Sequence, residues 1–126
     1  MKGLEIVFLA VGGVLGTFLR YKITDSQIML GTLSVSILAV NIIGAFILGL
    51  FVVLAQQWNL EVKYALFIAI GFCGSLTTMS AFALQTTNLM DNSQFGIAAI
   101  NIMANVGLSI GALIGGRALM SYLISA

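Results

Sequence analysis

Four long apolar runs separated by short polar breaks dominate the chain. Charged residues leave uncharged stretches from Ile6 to Leu19, Ser26 to Leu60, Tyr64 to Met90 and Asn92 to Gly116. A helix that crosses the hydrocarbon core needs about 20 mostly apolar residues. The first run is short, but Lys2, Glu5, Arg20 and Lys22 sit where end residues can snorkel, so a span over about Gly3 to Ile23 is predicted. Thr24 to Thr32, carrying Asp25, Ser26, Gln27 and Gly31, supplies the polar break before a second helix over about 33–55. Gln56 to Lys63 and Asn88 to Gln94 read as loops, which leaves a third helix over about 62–88 and a fourth over about 95–122.

Composition agrees with this pattern. The chain is 60% hydrophobic and 7% charged, with no proline and no histidine, far from a soluble domain. The predicted class is an all-α membrane protein, a single four-helix domain over residues 1–126. A cleaved signal peptide fits the first run poorly, because Glu5 closely follows Lys2, no Ala-x-Ala site closes the run and Arg20 is a poor cleavage flank. Trp58 suits an interface, where its N–H stays hydrated. The single Cys73 lies inside the third helix, so no intrachain disulfide forms and its expected role is that of a small structural residue.

Four spans put both termini on one face. That face holds Lys2 and Lys63, with Arg117 near the end of the fourth helix, and the other holds Arg20 and Lys22. So small a difference does not set orientation, which normally follows a clear Lys/Arg excess in short loops. Insertion in both directions is therefore expected. Four short helices also enclose too little volume to shield an ion from lipid, which points to a homo-oligomer and, with dual insertion, to an antiparallel dimer.

Small residues recur every four positions at Gly12 and Gly16, at Ala45 and Gly49 widened by Gly44, and at Gly107, Gly111 and Gly115. Such stripes let helix backbones approach closely, so all three are expected to pack. Asn101, Asn105 and Ser109 share the same spacing on another face of the fourth helix, and Asn41 adds an amide inside the second. Interhelical hydrogen bonding and an ion path both account for these amides.

The third helix is the unusual one. Gly71 to Phe82 reads Gly-Phe-Cys-Gly-Ser-Leu-Thr-Thr-Met-Ser-Ala-Phe, with two glycines and four hydroxyls midway along a span, and a break is expected at 74–78. Loosened backbone at this depth is tolerated only where protein buries it or water reaches it. The interior thus offers amides, hydroxyls and aromatic edges, while Glu5, Asp25, Glu61 and Asp91 all lie near ends or in loops. A proton-coupled transporter normally needs an ionisable relay in the membrane, so donor-rich lining for an anion fits better. The positive rim of a phenylalanine ring, such as that of Phe82, adds to such a lining, and Arg20 near a helix end adds positive potential at an entrance.

The run Gly71 to Phe82 resembles the signature of the Fluc (CrcB) fluoride channel family, which usually ends Thr-Thr-Phe-Ser-Thr-Phe. Gly12 to Arg20 is similar to that family's first-helix motif, and Val40-Asn41-Ile42-Ile43-Gly44 to its second. The resemblance covers essentially the whole chain. It implies an antiparallel dual-topology homodimer with two fluoride pores, each lined by both subunits, and a structural sodium ion (Na+) at the dimer centre. By position, the backbone carbonyls of Gly74 and Thr77 would hold that ion. The fluoride pore would be lined by Asn41, Phe82, Ser80, Thr78, Met79, Asn101, Asn105 and Ser109, with Arg20 at the vestibule.

The chain departs from the family pattern at three places. Met79 stands where the first of two phenylalanines is usual, and methionine carries no aromatic quadrupole. Ala81 replaces a threonine, and Gln85 stands where glutamate is common.

The function implied is passive, fluoride-selective export across the cytoplasmic (inner) membrane of a microbe. A small multidrug-type four-helix exporter is an alternative, but it depends on a carboxylate within the membrane, and Glu5 is the only candidate. A non-transporting membrane subunit is another. The chain has no nucleophile with a base, no phosphate loop and no metal-ligand cluster, so no enzyme is expected, and its near-neutral charge gives no nucleic-acid partner.

Overall fold

The computed structural model describes residues 2–31 and 33–125. Met1, Thr32 and Ala126, which close the predicted domain or belong to the first polar break, lie outside the described residues. Four helices are long and apolar enough to cross a membrane: α1 (Gly3–Asp25), α2 (Ser36–Trp58), a third spanning Val62–Asp91, and α6 (Phe95–Ser125). The third is composite. It begins as α3 (Val62–Ala65), continues as a π-helical segment (Leu66–Cys73) and a short α4 (Gly74–Leu76), and restarts as α5 (Met79–Asp91).

Between α1 and α2 lies an element that hydrophobic periodicity does not suggest. β1 (Met29–Leu30) pairs antiparallel with β2 (Leu33–Ser34), with Gly31 in the connecting turn at φ 64°. This ribbon delays the second helix from residue 33 to Ser36, whose buried hydroxyl accepts the Ile28 N–H at 2.9 Å. At its other end α2 runs past 55 through Gln56 and Gln57. It stops where Asn59 turns left-handed, at φ 49°, and its N–H returns to the Ala55 carbonyl. Asparagine is among the few residues that tolerate this conformation, which makes it a natural helix stop. Trp58 is the last residue of α2 and is exposed, as an interfacial ring would be.

Packing divides into two close helix pairs. α1 lies against the third helix, where a side chain at Gly12 or Gly16 would collide with the carbonyls of Phe67 and Phe72. Gly71 reciprocates, since a Cβ there would meet the Leu9 carbonyl at 2.9 Å and the Gly13 nitrogen at 3.0 Å. α2 lies against α6 through Gly49 and Gly116, each facing the other helix's backbone. Gly44 is closed over by the Thr77 methyl.

One expected stripe behaves differently. Gly107, Gly111 and Gly115 are exposed, and an added Cβ would meet nothing within 4 Å, so they make no close packing within the subunit. The inward face of α6 is the polar one, with Asn101 and Asn105 buried. The hydrogen-bonding needs of these amides, and not glycine spacing, decide which face turns in.

Candidate functional site

The site begins where the third helix breaks. Thr77 (φ −80°, ψ 155°) and Thr78 (φ −150°, ψ 119°) are extended, whereas Gly74 remains helical at φ −64°, ψ −30°. The break therefore occupies only the two threonines of the 74–78 interval, and the glycines serve packing and helix continuity instead. β-Branched residues accept extended backbone readily.

Side chains satisfy much of the backbone that the break releases. The Thr78 N–H, which an unbroken helix would direct to the Gly74 carbonyl, donates to Asn41 Oδ1 at 2.8 Å. Arg20 Nε donates to the Ser75 carbonyl at 2.9 Å. Thr77 Oγ1 donates back to the Cys73 carbonyl at 3.0 Å, and Thr78 Oγ1 caps α5 by accepting the Ala81 N–H at 3.1 Å. Arg20 is thus tied to the break through its guanidinium.

From Thr78 a ladder of amides runs across the bundle. Asn41 Nδ2 donates to Asn105 Oδ1 at 2.9 Å, and Asn105 Nδ2 donates to Asn101 Oδ1 at 3.0 Å and to the Asn101 carbonyl at 2.9 Å. Asn101 Nδ2 donates to Gln85 Oε1 at 3.3 Å and to Thr86 Oγ1 at 3.2 Å. Gln85 Nε2 then donates to the Ser34 carbonyl at 2.6 Å. The ladder has one direction, since it starts at a backbone N–H and ends at a backbone C=O. Reversing any amide would set donor against donor or acceptor against acceptor at a neighbour.

Two cavities flank the ladder. The first, about 410 Å³, is lined by Asn41, Gly74, Thr77, Thr78, Met79, Phe82, Asn105 and Ser109 among others. Ser109 Oγ is buried here without a hydrogen-bond partner among the described residues. Met79 is 71% exposed, so its side chain lies largely open at this cavity. The second cavity, about 500 Å³, lies at the ribbon end and is lined both by polar residues, including Ser34, Gln85, Asn88 and Gln94, and by apolar ones such as Met29, Ile37 and Leu84. Ser80 reaches Thr78 Oγ1 at 3.2 Å but lines neither cavity, and Asn101 sits between them at 1% exposure.

Sequence reading brought most of these residues forward but missed Thr86, Ser34 and Ser36 and gave Gln85 no site role. Thr86 and Gln85 sit near the end of a long helix, where polarity reads as an approaching loop. The side-chain nitrogen of each of Asn41, Asn101 and Asn105 has two protein acceptors within hydrogen-bond distance, so these amides orient the interior. No group of three or more His, Cys, Asp or Glu residues able to hold a metal occurs among the described residues.

Residues 7–117 match the family described as CrcB-like protein, Camphor Resistance (CrcB). The chain is 68% identical over 125 residues to a protein named Fluoride-specific ion channel FluC from Nitrosopumilus maritimus (strain SCM1), covering 99% of both chains. The chain belongs to the CrcB family. Proteins of the same name from Koribacter versatilis (strain Ellin345) and Thermococcus onnurineus (strain NA1) are 36% and 35% identical, over 92% and 87% of this chain and 94% and 90% of theirs. Fluoride-channel homologues and four apolar helices make this a multi-pass membrane protein of a channel family, which is not a family of enzymes.

Proposed function

We propose that this chain is a passive, fluoride-selective channel that exports cytoplasmic fluoride across the inner membrane of a microbe. The observation that carries the reading is the first cavity, where the unpartnered Ser109 hydroxyl, the Phe82 ring and the Asn41–Asn105 end of the ladder meet, in a chain whose relatives are named fluoride channels. A small anion would exchange part of its water shell there for hydroxyl and ring-edge contacts. Thr78, Ser80 and Met79 lie beside that route, and Asn101 holds the ladder behind it.

The working unit is an antiparallel, dual-topology homodimer with two pores. The open Gly107, Gly111 and Gly115 face supports this, because close helix contact is what such a stripe serves and no neighbour within the subunit uses it. The near-even division of Lys and Arg between the two faces supports it as well.

A structural sodium ion at the dimer centre fits the donor set. The carbonyls of Gly74 and Thr77 accept no hydrogen bond among the described residues, because the Thr78 N–H goes to Asn41 and the Ala81 N–H to Thr78 Oγ1. Both border the first cavity, and carbonyl oxygen is the ligand type a hard cation takes. Bound there, the ion would supply fixed positive charge and join two subunits.

The exporter alternative requires an intramembrane carboxylate, and Glu5 instead accepts the Lys2 N–H at 3.3 Å at the start of α1. Purified protein in liposomes, followed with fluoride and chloride electrodes, tests the proposal. Fluoride efflux without chloride efflux supports it, and absence of both from folded dimer overturns it.

A further inference from the structure

Among the described residues Met79 is the only methionine that lines the first cavity. It opens α5 directly after the break, largely exposed, and shares that space with Thr77, Thr78, Phe82 and Ser109. A thioether is oxidised where an oxidant dissolved in water reaches its sulfur. The hydroxyl-bearing wall admits water to Met79. Met103 is as exposed, at 73%, but it lines neither cavity and lies beside Ile100 and Gly107 on the outer face of α6, where lipid or another subunit covers it.

The same cavity holds a donor in want of an acceptor. Ser109 Oγ is the only buried side-chain nitrogen or oxygen without a hydrogen-bond partner among the described residues. A thioether sulfur is a weak acceptor for that hydroxyl. A sulfoxide oxygen carries partial negative charge and accepts strongly, and the three rotatable bonds of methionine let it turn toward a donor on the same wall.

We propose that Met79 is a redox modification site: hydrogen peroxide converts its thioether to the sulfoxide, whose oxygen accepts the Ser109 O–H in the first cavity and takes the place of a small anion there. One peroxide oxygen passes to sulfur as the O–O bond breaks and an S–O bond forms, and the rest of the peroxide leaves as water. Sulfur loses two electrons and peroxide gains them. Methionine sulfoxide reductases, drawing electrons from a thiol, reverse the step. The block rests on the channel reading, whereas the modification and its hydrogen bond do not. Phenylalanine, usual at this position in the family, has no sulfur to oxidise, so the device belongs to this chain's own departure at Met79.

Peroxide treatment of the full-length protein in liposomes tests this. Peptide mass spectrometry should find one added oxygen at Met79 before Met103 reacts, and infrared difference spectra should place the S=O stretch lower in wild type than in Ser109→Ala. Fluoride efflux should fall about tenfold, the equivalent of one hydrogen bond to an anion, and recover with reductases for both sulfoxide epimers. Met79→Leu, whatever its starting rate, should not respond to peroxide, and Ser109→Ala should lose less than wild type. Met79 left unoxidised while Met103 reacts, or an S=O stretch that does not change with Ser109, overturns the proposal. Efflux unchanged after complete oxidation of Met79 overturns the block. If the untreated protein carries no fluoride, the channel reading falls by itself, and the S=O stretch still decides the site.

Discussion

Asn41 Oδ1 accepts the Thr78 N–H at 2.8 Å, so an amide in the second turn of α2 takes the hydrogen bond that the third helix gives up where it breaks. The same amide donates to Asn105 on α6, which makes it the joint between the break and the polar interior. Asn41→Leu should leave the Thr78 N–H and Asn105 Oδ1 without partners, at about 1–3 kcal/mol for each unsatisfied group. Unfolding of the variant in detergent checks the loss, and stability equal to wild type would separate the amide from the break.

Arg20 should matter through its geometry as well as its charge. Its Nε satisfies the Ser75 carbonyl, one of the acceptors left at the end of α4. Arg20→Gln should destabilise by about 1–3 kcal/mol, and Arg20→Lys should recover only part, since a lysine ammonium lacks the planar guanidinium that fits this position. Thermal denaturation of the three proteins orders them wild type, lysine, glutamine.

Glycines on α1 and on α6 should respond differently. A side chain at Gly12 or Gly16 meets the backbone of the third helix, so Gly16→Val should disrupt the subunit itself. A Cβ at Gly111 meets nothing within 4 Å inside the subunit, so in Gly111→Leu helicity should persist while the proposed dimer weakens. Circular dichroism and dimer mass in detergent separate the two outcomes, and an unchanged dimer for Gly111→Leu would place the subunit contact elsewhere.

Much of this organisation is visible in the amino-acid order. Apolar run length suffices to find four spans, and the four-residue recurrence of Asn101, Asn105 and Ser109 locates the inner face of α6. The glycine stripe on that helix misleads, because spacing reports a capacity for close packing without saying which neighbour uses it. Location of the break is also hard to read, since glycines at 71 and 74 look like the loosened points while two threonines define it, one of them, Thr78, with its side-chain partner 37 positions upstream at Asn41. The ribbon and the Gln85–Ser34 contact are invisible to periodicity, being two-residue strands and one bond across 51 residues.

Met79 is open at the first cavity, where the family usually has phenylalanine. Its thioether fills comparable space without a positive ring edge, so Met79→Phe should fold alike and carry fluoride faster. Initial efflux rates of the two proteins check this, and equal rates with equal fluoride binding would show that ring character at position 79 is immaterial.

Fluoride conduction by the chain alone is the central claim. Liposomes containing only this protein and loaded with potassium fluoride or potassium chloride, with valinomycin added to carry the compensating charge, should release fluoride and retain chloride, while protein-free liposomes retain both. Retention of fluoride by liposomes containing folded, dimeric protein would contradict the account.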